Sequence, residues 1–255
     1  MNSPVKRSMR RHSQGKVPVD GLQEVMRYLQ STECNPATII ETDGKAIVLD
    51  LSAQSRMFGK PLRGLSVNEL GSLIDNAMRA AGTGYSFGRY GEDRELYNNE
   101  NFAGGDSNES RTVHMGIDLF CVAGTRVCTP LDGEIVIVAN NKLELDYGPM
   151  LVLKHRAGQS VFYSLYGHLN LNSISELREG QAVGAGDPLA LLGSPPENGN
   201  WPPHLHFQLI VDLLGLGKDF PGVAFKSQCD FWLTLSPSPA RFFPEASTAK
   251  LNANQ

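Results

Sequence analysis

Apolar residues recur along this chain in two rhythms. Over 19–30, Leu22, Val25, Met26 and Leu29 stand three and four residues apart, which places them on one face of a helix. A second helix is predicted from Ser66, where Ser66 and Glu69 form a capping box. Its stripe is Leu70, Leu73, Ile74 and Met78, and Gly82 stops it. Between the two, Asp43-Gly44 separates apolar runs at 38–42 and 46–51 and predicts a hairpin. The segment 84–102 is aromatic and charged without a period and reads as an ordered loop with short strands. Further on, short apolar runs at 125–128, 133–138, 150–155 and 161–165 are mostly separated by glycine-containing turns. That is the signature of an antiparallel sheet. The segment GQAVGAGDPLALLG, 180–193, reads as a glycine-punctuated hairpin, and HLHFQL, 204–209, as a strand.

The fold class that follows is mainly β: an antiparallel sheet core with a small α/β appendage at the amino-terminal end. The expected organisation is a basic tail over 1–18, the appendage over 19–100, the sheet domain over 101–236 and a polar tail over 237–255. Phe220, Phe225, Phe231 and Trp232 are expected to cover the sheet edge.

Composition narrows the function classes. A hydrophobic content of 41% and a charged content of 20% are those of an ordinary soluble protein. A net charge of −4 gives no general case for nucleic acid or a membrane surface as partner. No stretch approaches the roughly 20 apolar residues of a membrane span. The first sixteen residues carry Lys6, Arg7, Arg10, Arg11 and Lys16 but no apolar run of about 7–15 residues, which a secretory signal requires. A cytoplasmic location is therefore expected, with the cell envelope reached by non-classical export as the alternative. Cys34, Cys121, Cys128 and Cys229 form no CxxC pair, so a cysteine zinc site is not expected and reduced thiols are.

The candidate chemistry lies in the histidines. Four of the six fall in three short motifs: His114 with Asp118 in HMGID, His168 in YGHL, and His204 with His206 in HLH. Imidazoles and a carboxylate at such spacings suit a catalytic zinc ion, held by three protein ligands with a fourth position open. Side chains two or four residues apart share a strand face. His114 therefore joins Asp118, and His204 joins His206, without the spacing deciding which of the last two binds metal. His155 ends the strand LVLKH and reads as a hydrogen-bonded structural residue. With no HExxH motif there is no glutamate base to invoke, and a histidine base fits better.

HMGIDLF, TPLDGEI, DYGPMLVLKH, SLYGHLN, GQAVGAGDPLALLG and PPHLHFQL occur in that order between about 111 and 210. Together they resemble the LytM/lysostaphin-type zinc metalloendopeptidases. The resemblance implies Zn2+ on His114, Asp118 and His206, catalysis by His168 and His204, and a peptide or peptidoglycan-fragment substrate. Ser164, Tyr166 and His168 share one strand face, which places Tyr166, together with Trp201 of the preceding loop, in the expected substrate groove. The Trp-Pro-Pro sequence there is expected to crowd the metal and favour small residues such as glycine. The chain departs from the family's pattern in NGNWPPHLH, where Thr-Gly or Ser-Gly is usual, and in Gln208, where Glu is frequent. GRYGEDRELY and the stretch after HLHF resemble a subset found between a kinase-like phosphotransferase and a class III aminotransferase. Two other classes fit the same motifs: a non-catalytic binding or activator module, and a cytosolic amide hydrolase acting on a small metabolite.

Overall fold

Both predicted helices form. α1 (Leu22–Gln30) buries Val25 and Leu29. β1 (Ile47–Leu49) follows, then α2 (Val67–Ala81), whose capping box at Ser66 and Glu69 is complete and whose end is Gly82 in the left-handed conformation. The computed structural model describes residues 21–253 apart from 43, 97–101, 104–108 and 247, so the basic tail expected over 1–18 lies outside the described residues.

The hairpin expected across Asp43-Gly44 is not formed. Only 47–49 is a strand, and it pairs in parallel with β2 (Ser86–Gly88). The run 38–42 goes instead to the core: Ile39 and Ile40 are buried, and the Ile39 carbonyl accepts from Cys128 N at 2.7 Å. A local turn signal has been overridden by long-range burial.

β3 (Arg111–His114) and β4 (Ile117–Phe120) come next, then β5 (Arg126–Cys128), β6 (Gly133–Asn141), β7 (Gly148–Ala157) and β8 (Ser160–Gly167). They are followed by β9 (Ala182–Val183), β10 (Pro188–Leu191), β11 (His204–Ile210), β12 (Val223–Phe225), α3 (Cys229–Leu235) and α4 (Thr248–Leu251). Eight strands form one sheet in the order β1-β2-β4-β11-β8-β7-β6-β9, antiparallel throughout except for β1 with β2. The expected amino-terminal appendage thus supplies the first two strands of this sheet. β9 and β10 do not pair with each other as the expected hairpin would. β9 pairs with β6 and β10 with β5.

The sheet has apolar residues on both faces. Leu119, Leu151, Phe162, Tyr166, Phe207 and Leu209 face one cluster. Met150, Val152, Leu165 and Ile210 face another, which Phe220 and Trp232 of the later segment complete. Those aromatics cover a sheet face, where an edge was expected. The expected polar tail from 237 is also packed. Phe242, Phe243 and Leu251 are buried in the first cluster, with Phe243 5.3 Å from the Phe87 ring and 5.7 Å from the Phe207 ring. Among the described residues no helix is long and apolar enough to cross a membrane.

Candidate metal centre and active site

β4 and β11 run antiparallel with His206 opposite Asp118 and His204 opposite Phe120. Strand pairing therefore brings the two motifs together although 88 residues separate them. His114 arrives differently from the way its spacing implied. It ends β3, which pairs with β12 in a separate two-stranded sheet, and the chain breaks at 115–116 before β4 begins. His114 and Asp118 meet across this corner, not along one strand face. Gly116 makes the corner possible, since a Cβ there would lie 2.7 Å from His206 Cε1.

Three atoms converge. His114 Nε2 is 3.0 Å from His206 Nδ1 and 3.1 Å from Asp118 Oδ1, and His206 Nδ1 is 3.2 Å from the same oxygen. All three residues are buried. Their other atoms fix the protons. His114 Nδ1 donates to the Arg89 carbonyl at 3.0 Å, so Nε2 carries a lone pair. Gln208 gives its amide N–H groups to Pro221 O at 3.2 Å and Ser236 Oγ at 2.8 Å. Its Oε1 is thereby turned to accept from His206 Nε2 at 3.0 Å, which leaves His206 Nδ1 bare. Three acceptors face one another with no proton among them. A tetrahedral zinc ion with bonds of about 2.0–2.1 Å spaces its ligands about 3.3 Å apart, so the triangle fits such an ion. Among the described residues, His114, Asp118 and His206 form the group able to hold a metal.

Asp118 is held by its second oxygen. Arg94 Nη1 donates to Oδ2 at 2.6 Å, and Arg94 Nε donates to Glu92 Oε2 at 2.8 Å. Glu92 in turn accepts from Arg89 Nε at 2.7 Å, and Arg89 reaches Asp50. Arg94 and Glu92 are buried. Gly88, opposite Asp118 in the β2–β4 register, leaves room for this link, because a Cβ there would lie 2.7 Å from Arg94 Nη2. Burial alone would raise the Asp118 carboxyl, but its interactions with His114, Arg94 and His204 hold it well below the usual carboxylate range. Burial lowers His114 to about 4, assisted by Arg94, so its imidazole is neutral at pH 7, as a ligand must be.

His168 and His204 stand beside the triangle with ring centroids 4.3 Å apart. His204 Nδ1 donates to Pro202 O at 2.7 Å, and its Nε2 lies 3.7 Å from Asp118 Oδ1. His168 Nδ1 donates to Asn198 O at 2.8 Å. Each therefore keeps a bare Nε2. Burial lowers both, His168 well below its usual value with the added repulsion of His204 and His206.

The groove residues divide. Trp201 lines the cavity over the site, 6.4 Å from the His168 ring and 6.3 Å from that of His204. Tyr166 does not. It is fully buried on the opposite sheet face with its hydroxyl against Ser164. The expected sharing of a face by Ser164, Tyr166 and His168 fails at the last member. β8 ends at Gly167 and His168 takes φ 64°, which turns its ring off the Tyr166 side. Tyr147 takes the place, its ring 5.4 Å from His206 and 6.3 Å from His168. Arg94, Glu92 and Asn198 lie in stretches noted for their resemblance, GRYGEDRELY and NGNWPPHLH, but no site role was assigned to them from the sequence. Gln208 was visible as a departure from the family's usual Glu.

Residues 112–215 match the model of peptidase family M23, and this segment is similar to LytM/lysostaphin-type peptidases. Lysostaphin in solution is 31% identical over 40% of this chain and 38% of its own, with a TM-score of 0.33. A zinc-containing peptidase from Vibrio cholerae is 29% identical over 45% of this chain and 30% of its own, TM-score 0.31. The catalytic domain of lysostaphin from Staphylococcus simulans is 24% identical over 62% of this chain and 94% of its own, TM-score 0.40. The chain thus spans well under half the length of the first two relatives. No curated protein matches it.

Proposed function

We propose that this protein is a zinc-dependent peptidase that hydrolyses an amide bond in a short peptide, of the kind found in peptidoglycan. The observation that supports this reading most directly is the meeting of three buried acceptors, His114 Nε2, Asp118 Oδ1 and His206 Nδ1, with no proton among them. Two imidazole lone pairs and a carboxylate oxygen repel one another unless a cation lies between them.

His114, Asp118 and His206 would hold the ion. Bound there, zinc supplies a Lewis acid for the substrate carbonyl and acidifies water, toward a pKa of about 7. The remaining steps belong to the side chains. His168 and His204 are neutral at pH 7 with Nε2 bare, so each accepts a proton at that atom. Asn198 O and Pro202 O hold the rings by Nδ1, and stabilise each imidazolium once formed. The imidazolium then has an N–H at Nε2 to give to the developing oxyanion or the leaving amine. Trp201 and Tyr147 flank the pair.

The test is metal content followed by hydrolysis. The expected result is one zinc per chain, lost in His206→Ala. His168→Ala and His204→Ala should retain zinc while cleavage of a peptide and peptidoglycan-fragment panel falls by about 10²–10⁴. Full zinc in His206→Ala, or cleavage indifferent to a chelator, would overturn the reading.

A further inference from the structure

The site opens into a cavity of about 360 Å³, within the size range of small-ligand pockets. One side of it is His114, Asp118, His168, His204 and His206. The rest of the lining mixes the charged Arg111, Asp146, Lys218 and Asp219 with an apolar wall that comes mostly from outside the M23 segment: Leu51, Leu70, Leu96 and Phe102, with Trp201 from the loop before β11. Leu51, Leu70, Phe102 and Trp201 belong to one packed cluster with Leu49 of β1 and Ile74 of α2, so these side chains are held in place by the core. α2 rests on the Trp201 loop, where a Cβ on Gly71 would stand 3.4 Å from Pro202.

One polar group on the lining points to a ligand. Asn141 donates its amide N–H groups to Lys218 O at 3.0 Å and Asp146 Oδ1 at 3.4 Å, which fixes the direction of its Oδ1. That oxygen is buried and accepts from no described residue. Buried acceptors are normally satisfied, and Asn141 is one of the residues that line the cavity.

We propose that this chamber is the subsite for a bulky apolar side chain of the peptide substrate adjoining the cleaved bond, with Asn141 Oδ1 taking a main-chain N–H of the same peptide. The proposal rests on the metal-site reading above, and it departs both from the glycine-sized residue that the Trp-Pro-Pro sequence implies and from a peptidoglycan-type peptide, which has no such side chain. A glycine would leave the partly exposed stretch of this wall, at Leu96, facing water. A leucine or phenylalanine side chain would cover it, and a single methylene in such a pocket discriminates about 10–200-fold.

Dipeptidyl hydroxamates Gly-Gly, Gly-Leu and Gly-Phe, titrated into the zinc-loaded protein, test this through binding alone. Gly-Leu and Gly-Phe should bind at least about tenfold more tightly than Gly-Gly. Leu96→Gln, and separately Leu51→Ala, should bring that ratio toward one, a change that general loss of fold would not produce selectively. Asn141→Leu should weaken all three probes by about tenfold. Equal affinities in a protein that binds zinc would overturn the subsite alone. Failure of the wild-type protein to bind zinc would overturn the metal reading and the subsite with it.

Discussion

Asp118 is the side chain on which most of the site converges. One oxygen faces the two imidazoles and the other is taken by Arg94, so the carboxylate has one oxygen left to offer. On the metal-site reading Arg94 would be a positioning residue, since it touches the proposed ligand Asp118 and not the ion. Its replacement by methionine is expected to weaken zinc binding about 10–100-fold, the usual effect of losing a group that orients a metal ligand. Arg94→Lys should recover part of it, as a single donor replaces a planar fork. Competition with a chromophoric chelator measures the constant directly, and an unchanged constant in Arg94→Met would remove Arg94 from this role. The proposed ligands were legible because each short motif carries its own chemistry. Between His204 and His206, which spacing left open, the neighbours favour His206 as the proposed ligand. His204 spends its Nδ1 on the carbonyl of Pro202, whereas Gln208 holds His206 by Nε2 and presents Nδ1. Arg94 was not legible, because a charged residue 24 positions from its partner looks like any surface arginine until the strands pair.

Among the elements, periodic helices and strands were readable and irregular segments were not. α2 formed from its capping box to its terminal glycine as its pattern implied. The run 38–42 and the segment after 237 failed for one shared reason: their apolar residues are too few to show a period, yet they are buried against distant strands. Phe242 and Phe243 lie in a short 3₁₀ turn (Ala240–Phe242) and its cap, flanked by polar and proline residues that mask them. Phe243 contacts Phe87 and Phe207, which sit on β2 and β11 of the main sheet. Phe243→Ala is therefore expected to destabilise the protein by about 3–5 kcal/mol, as for other buried aromatic truncations. A denaturant titration checks it, and a loss below about 1 kcal/mol would mean that the segment adds little to the core.

For the whole molecule, acid should be destabilising through a histidine far from the site. His155 lies between Asp132 O at 2.8 Å and Ser164 Oγ at 2.6 Å, and burial lowers it to about 4 from its ordinary 6.5. The folded state therefore resists a proton that the unfolded chain accepts. Its contribution is complete above pH 6.5 and is lost as pH falls toward 4. Between pH 7 and 5 that amounts to about 2 kcal/mol. Urea midpoints of metal-free wild type and His155→Gln over this range should diverge at pH 7 and approach each other at pH 5. A constant gap would show that His155 does not titrate in this window.

The link Asp50–Arg89–Glu92–Arg94–Asp118 joins residues on both sides of the boundary at which the M23 match begins. A protein engineer who excised 112–215 as a portable cassette would cut through that link and discard the two strands that pair beside β4. Grafted onto a new carrier, such a cassette would keep its histidines and lose the arginine that orients its carboxylate. Recombination during descent meets the same constraint. The stretch from Asp50 to Arg94 has to travel with the histidine motifs, or its arginine has to be replaced where it lands.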